Sequence, residues 1–407
     1  MIGAHCLIMA GEGCIMSEIL KLVKKHEKYR SESLNLQASE NVMSMDAREA
    51  LSSDLASRYS LVLDPSKGDA YGGTQYTEEI LHETEKLAAA LYGSKHAEVR
   101  PLGGHIAAEM VILSLMSKRE NMMSIAEKNG GYTGYQNGYL PQMFGFQNYE
   151  IPYDEASQEI NLQKLEKAMK ASSPSLVVLG QSFFLKHYDL KPIREMCDAY
   201  NSYLAYDGSH VMGLIAGQAF QKDVLEYCDL LFGSTHKSFF GPQGGIILTN
   251  NEDIFTRIRK NITWRTMDNY HPSRIAALGV ALEEMTKYGR DYAAGVVRNS
   301  MHLGKELHEN GVGVKFSPWY SETHQIALDG NYFQSRGMSF ESASRILEDN
   351  GIIVDREGRI GTSEISRMGF SDMGRIAELI SSALSGKNVS QEVSDLIKEL
   401  RIHYTGA

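Results

Sequence analysis

Four short apolar runs constrain this chain most. Ser175–Leu179 (SLVVL), Tyr203–Asp207 (YLAYD), Leu230–Gly233 and Gly245–Thr249 (GIILT) each have the length of one strand. A run such as SLVVL shows no alternation of polar and apolar residues, so it has no solvent face. Such strands sit inside a sheet covered by helices on both sides. Helical spacing fills an interval at 190–201. The β-α-β rhythm predicts an α/β fold with a mostly parallel central sheet flanked by helices. Upstream, residues 78–92 read as a helix that Gly93 stops, Ala97–Pro101 as a short extended segment, and Gly103-Gly104 as the entry to a helix from about 105 to 117.

After Pro272 the pattern changes. One long helix covers about 273–309. Short strands within HQIALDG, GIIVDRE and GRIGTSE then mix with helices at 339–350 and 372–386, as in a small C-terminal α+β domain. A chain of 407 residues is expected to form two or three packed units. The expected division is an N-terminal arm with helices over 1–60, a large domain over 61–285 and the small domain over 286–407.

Charge and composition exclude several classes. A net charge of −10 argues against a nucleic-acid surface. No apolar run reaches the roughly 18 residues of a membrane span. Cys6, Cys14, Cys197 and Cys228 lack CxxC spacing and read as free thiols of a cytoplasmic protein, with no metal site expected. The first fifteen residues are apolar and glycine-rich, without the positive start of a signal peptide. Met16 precedes a good amphipathic helix and reads as the natural start. An intact Met1 terminus on protein from the native host would refute that reading.

The chemistry concentrates in YDGSHVMGLIAG (206–217) and FGSTHKSFFGPQGG (232–245). Lys237 sits among small and hydroxylic residues, including Ser234 and Thr235. A buried lysine of lowered pKa attacks an aldehyde carbonyl, and the surrounding hydroxyls suit a phosphate. Asp207 ends strand YLAYD, where the ligand crevice of an open α/β sheet lies. A carboxylate there can pair with a protonated pyridine nitrogen. His210 follows three residues on. Gly103, Gly104 and His105 precede a helix whose N-terminal N–H groups can cradle a phosphate. Ser182 follows strand SLVVL and faces the same crevice, and Tyr132 offers a ring to stack on a flat cofactor. Singly, each has a plainer reading as surface lysine, turn, cap or core residue. Together they point to pyridoxal 5′-phosphate (PLP) held on Lys237 as a Schiff base.

From about Leu34 to Phe370 the sequence resembles the serine hydroxymethyltransferase family of fold-type I PLP enzymes. The resemblance rests on NLQASEN (35–41), AYGGTQY (70–76), the Gly103-Gly104 turn, YDGSHVMGLIAG, GSTHK (233–237) and GRIGTSEISRMGF (358–370). GSTHK with GPQ, and HQIALDG, look most like the archaeal branch and its threonine-transaldolase cousins. The resemblance implies Lys237 as the Schiff-base lysine, Asp207 as the pyridine-nitrogen partner and His210 as a contact to cofactor ring and lysine. It implies phosphate contacts from Gly104, His105, Ser234 and His236, and a bond from Ser182 to the cofactor's phenolic oxygen. Ser39 and Glu40 would line the substrate end. Tyr59 and Tyr71 would reach a neighbouring subunit's site in a homodimer or tetramer. Arg367 would bind the substrate carboxylate.

The chain also departs from the family. Tyr132 stands where a histidine stacks on the cofactor. Met368 holds the usual arginine position, one residue after Arg367. Asp268-Asn269-Tyr270-His271 replaces a Gln-Gly-Gly phosphate loop. Leu61 replaces a glutamate used in one-carbon transfer, with Asp64 as the candidate substitute. The expected activity is interconversion of serine and glycine, with the one-carbon unit passed to a reduced pterin, tetrahydrofolate or a methanopterin type. The alternatives are a pterin-independent threonine aldolase or transaldolase, and a PLP-fold binding protein without activity.

Overall fold

A computed structural model describes residues 17–62 and 68–406. The reading of Met16 as the start, Cys6 and Cys14, and Asp64 all lie outside the described residues. Seven strands build the central sheet: β1 (His96–Glu98), β2 (Asn121–Ser124), β3 (Gln147–Glu150), β4 (Leu176–Leu179), β5 (Tyr203–Asp207), β6 (Leu230–Ser234) and β7 (Gly245–Thr249). Their order across the sheet is β1-β7-β6-β5-β4-β2-β3. Only β7 runs antiparallel to its neighbours. The chain therefore has the mostly parallel sheet expected of a fold-type I PLP enzyme.

Alternate residues of the central strands enter two different apolar cores. Val177, Leu179, Leu204, Tyr206 and Leu231 point to one face. Leu176, Val178, Ala205, Leu230 and Phe232 point to the other. Both faces are dry, which is why these strands read as continuous apolar runs. Outside the sheet, α1 (Glu18–Ser31) buries none of its residues. The helix α2 (Gln75–Tyr92) ends at Gly93, whose φ of 66° only glycine adopts without strain. The helix α3 (Gly104–Leu115) covers the second face with Ala107, Val111 and Leu115.

The long helix α4 (Pro272–Glu309) runs across the expected division of the chain. The boundary at 285/286 falls inside it. Ile275, Leu278, Leu282, Tyr292 and Val296 belong to the first core, while Leu303 and Leu307 belong to a third core in the C-terminal region. One helix thus buries its first two-thirds against the large sheet and its last turns against the small domain. The N-terminal arm is redistributed as well. Leu34–Asn35 pairs in parallel with Ile352–Ile353, and Leu34 and Leu36 are buried in that C-terminal core. Two strands of this region matter below: β8 (Gln325–Ala327) pairs antiparallel with β9 (Arg359–Gly361), and α5 (Ser363–Arg367) follows.

Candidate active site

The register of the parallel strands lines up the site. Leu179 lies opposite Tyr206, and Asp207 lies opposite Phe232. Their C-terminal ends therefore form one edge, from which Gly180–Ser182, Ser209-His210 and Thr235–Lys237 project into a common crevice. Gly180 is required here, because a Cβ would stand 2.6 Å from the Cβ of Asp207. Gly104 is required at the other end, because a Cβ would stand 2.8 Å from Ser234 Oγ. Only glycine lets the first turn of α3 meet the end of β6. The first-turn N–H groups have no helical acceptor, so they and the Ser234 hydroxyl face the same small space.

Lys237 lies just beyond β6. Burial pulls its ammonium down to about 8, Asp207 opposes that shift and Arg359 adds to it. Its carbonyl accepts a 2.8 Å bond from Asn41 Nδ2, and Tyr292 Oη donates to the next carbonyl, of Ser238, at 2.7 Å. The segment NLQASEN thus anchors the lysine loop. Next to Lys237, burial and then the lysine charge push the His236 imidazole down to about 4, and its buried Nδ1 has no partner.

Asp207 accepts from Tyr135 Oη at 2.6 Å and from Ser209 N at 3.0 Å. Burial, then the Asp207 charge, holds the Tyr135 phenol well above its usual range, so it stays a donor. Tyr135 packs edge-on against Tyr132, whose hydroxyl lies 2.8 Å from His105 Nδ1. Tyr135 went unnoticed in the sequence; the signal was the second aromatic of GGYTGYQ, three residues after Tyr132. His210 is buried against Gln325 and His324, and Ser182 is fixed through its carbonyl, which accepts from Gln325 Nε2 and Arg359 Nη1.

The substrate end differs from expectation. Glu40 is paired to Arg30 Nη2 at 2.5 Å and bonded by Gln37, and its charge is felt at His236. Ser39 lies beside it in the same segment. Arg367, expected to meet a substrate carboxylate, has a side chain with no exposed surface. Its Nη2 is 2.6 Å from Glu284, its guanidinium lies 3.5 Å over the Phe240 ring, and the C-terminal tail covers the pair through Thr405 and Gly406. In this structure the charge of Arg367 is met by Glu284 and not presented to the crevice. Arg359 is the arginine whose charge reaches Lys237, His210 and His324. Its Nε binds Asp355 and its Nη1 binds the Ser182 carbonyl, both at 2.6 Å.

Tyr59 and Tyr71 stand edge-on at 4.9 Å and are 42% and 50% exposed, large values for tyrosines on a folded domain. Tyr59 donates to Asp268. Leu61 is buried, and its N–H is bound by Asp69, a carboxylate also engaged by Ser60 and the Tyr71 N–H. Asp69 is therefore saturated as a turn-former.

Glu364, in the first turn of α5, was also missed. Burial holds its carboxyl up to about 7, with Arg30 opposing and Glu40 adding. A raised folded value means the protonated carboxyl stabilises the fold below about 4.5, its ordinary value, and that contribution is lost as pH rises through about 7. Glu364→Gln is therefore expected to melt several degrees above the parent at pH 8, on the order of 3 kcal/mol at most, and equally with it near pH 4. Calorimetry across that range reads the difference; a pH-independent gap would refute the assignment.

Comparison with known proteins shows the family. The family described as serine hydroxymethyltransferase matches residues 15–380. The serine hydroxymethyltransferase of Methanothermobacter thermautotrophicus is 34% identical, with 95% of each chain covered. That of Archaeoglobus fulgidus is 31% identical over 95% of this chain and 90% of its own. Among solved structures, L-threonine transaldolase from Pseudomonas fluorescens, in its internal aldimine state, superposes with a TM-score of 0.84 at 26% identity. It covers 95% of this chain and 92% of its own.

Proposed function

The chain belongs to the serine hydroxymethyltransferase family, PLP-dependent enzymes that interconvert serine and glycine, and from that premise we propose that it passes the hydroxymethyl carbon of serine to a reduced pterin. The observation that carries the site assignment is the placing of a half-buried Lys237 just past β6 and of the Asp207 carboxylate at the end of the adjacent strand β5, close enough for its charge to act on the amine. The residues fit PLP: a glycine-tight cradle at Gly103-Gly104 and Ser234 for its phosphate, an orphaned His236 Nδ1 beside it, and Asp207 for its ring nitrogen. When bound, PLP supplies the electron sink for breaking the bond to the hydroxymethyl carbon. Lys237 would hold the cofactor covalently, Asp207 would keep its ring nitrogen protonated, Ser182 and His210 would donate to its phenolic oxygen, and Tyr132 would stack on it.

Arg359 replaces Arg367 as the proposed clamp for the amino-acid carboxylate. Arg359→Ala is expected to raise KM for serine about 10²-fold, with a moderate fall in melting temperature because Asp355 loses its partner. Arg367→Met should instead destabilise the fold by about 3–5 kcal/mol, because Glu284 is left buried and unpaired. The reverse pattern in kinetics and calorimetry would restore Arg367 to the substrate. The exposed Tyr59 and Tyr71 pair supports a homodimer with shared sites. Buried free thiols at Cys197 and Cys228 support a cytoplasmic enzyme. Among the described residues no helix is long and apolar enough to cross a membrane.

The deciding assay is serine turnover with tetrahydrofolate, with a methanopterin analogue, and with neither. Pterin-dependent glycine formation is expected, and none with either pterin would end the reading. Leu61 and the likeness to L-threonine transaldolase favour one second reading, aldol cleavage of threonine. Acetaldehyde release from threonine without a pterin would select it.

A further inference from the structure

We infer that Gln325 is a positioning residue that locks His210 as the neutral Nε2–H tautomer, so that His210 presents a proton, and not a lone pair, to the ligand side of the crevice. The orientation of the Gln325 amide is set by two backbone groups of fixed polarity. The Phe184 N–H, which can only donate, lies 3.0 Å from Gln325 Oε1. The Ser182 carbonyl, which can only accept, lies 3.1 Å from Gln325 Nε2. A flipped amide would set donor against donor and acceptor against acceptor in a site with no exposed surface at Gln325. The second Nε2 proton therefore points at His210 Nδ1, 2.8 Å away.

His324 reinforces the lock. Its Nε2 lies 3.0 Å from the Ala38 carbonyl, so that nitrogen carries a proton. That proton is given to Ala38; the nitrogen itself stands 3.5 Å from His210 Nδ1, with the two rings near parallel at 16°, and so offers it no lone pair. One N–H group thus points at His210 Nδ1, that of Gln325, and no acceptor does. A proton on Nδ1 would face that N–H and a His324 Nε2 that has no lone pair to offer. The remaining groups around His210 are cationic when charged: Lys237 and His236 from the loop after β6, and Arg359 from β9. Burial, followed by these neighbours, holds the imidazole well below its usual range. The neutral ring with its proton on Nε2 is what remains, and among the described residues that nitrogen has no protein partner. The tautomer does not depend on the reaction. Its use, donation to the phenolic oxygen of PLP, rests on the function proposed above.

The test is nitrogen-15 NMR of histidine-labelled, cofactor-free protein, with His210 assigned by its loss in His210→Asn. At pH 7 the expected His210 signal is that of a neutral ring protonated on Nε2. A proton on Nδ1, or an imidazolium, overturns the inference whatever the protein catalyses. Gln325→Glu keeps the acceptor for Phe184 N–H and replaces the donor by a carboxylate oxygen. The proton of His210 is then expected on Nδ1, with titration moved up by at least about one pH unit. If Gln325 only packs, tautomer and titration stay unchanged, and that result also overturns the inference. Should the variant fail to fold, the parent spectrum decides alone. In the loaded enzyme, Gln325→Glu is expected to lower kcat about tenfold with KM for serine within about twofold, and to shift the pH dependence of the cofactor's visible absorbance.

Discussion

Lys237→Ala leaves the protein unable to hold its cofactor covalently and lowers serine turnover by at least about 10³-fold. After borohydride reduction, mass spectrometry is expected to find the cofactor adduct on the peptide spanning 232–245 of the parent and no adduct in the variant. An adduct on another lysine would displace the assignment. The parent also carries a pH signature. Because the Lys237 ammonium is pulled down to about 8, the fraction of free amine rises with pH and levels off above that value. Covalent uptake by the cofactor-free protein is therefore expected to quicken about tenfold per unit below pH 8 and to plateau above it. A surface lysine would show no plateau before about pH 10.

Asp207→Asn has the second largest expected effect and moves two observables in opposite directions. The carboxylate stabilises a proton on the cofactor's ring nitrogen, and an amide does not. Loss of about 4 kcal/mol of charge stabilisation corresponds to a fall in kcat of about 10³-fold. The same carboxylate raises the affinity of Lys237 for its proton. Its removal is expected to move the uptake plateau below pH 8, so that covalent loading at pH 7 becomes faster while catalysis collapses. Slower loading together with slower catalysis would indicate that Asp207 acts through the fold alone. Tyr135 remains as a control, since its hydroxyl donates equally well to an amide oxygen.

Strands β4 to β7 were legible in the sequence because burial on both faces leaves an unbroken apolar run. β2 (NMMS) and β3 (QNYE) were not. β3 is an edge strand with three exposed residues, and β2 is buried through methionines that carry little strand preference. Lys237, Asp207, His210 and the Gly103-Gly104 turn were legible because they sit within a few residues of strand ends, where position along the chain fixes position in the crevice. Gln325, Arg359 and Tyr135 were not, because their roles depend on partners far away in sequence: Gln325 meets His210 across 115 residues and Arg359 meets Ser182 across 177. The burial of Arg367 was not legible for the same reason. Its fate is decided by Glu284 on α4 and by the tail that closes over both, and neither is visible in a motif.

The antiparallel pair β8–β9 carries Gln325 and Arg359 together, while the groups they hold, His210 and Ser182, lie in loops that follow strands of the central sheet. The reacting centre is thus assembled across a seam. The hydrogen bonds that the pair makes across that seam are few, so activity is expected to be lost on heating before the helix and strand signal, and parallel melts followed by turnover and by circular dichroism read the difference.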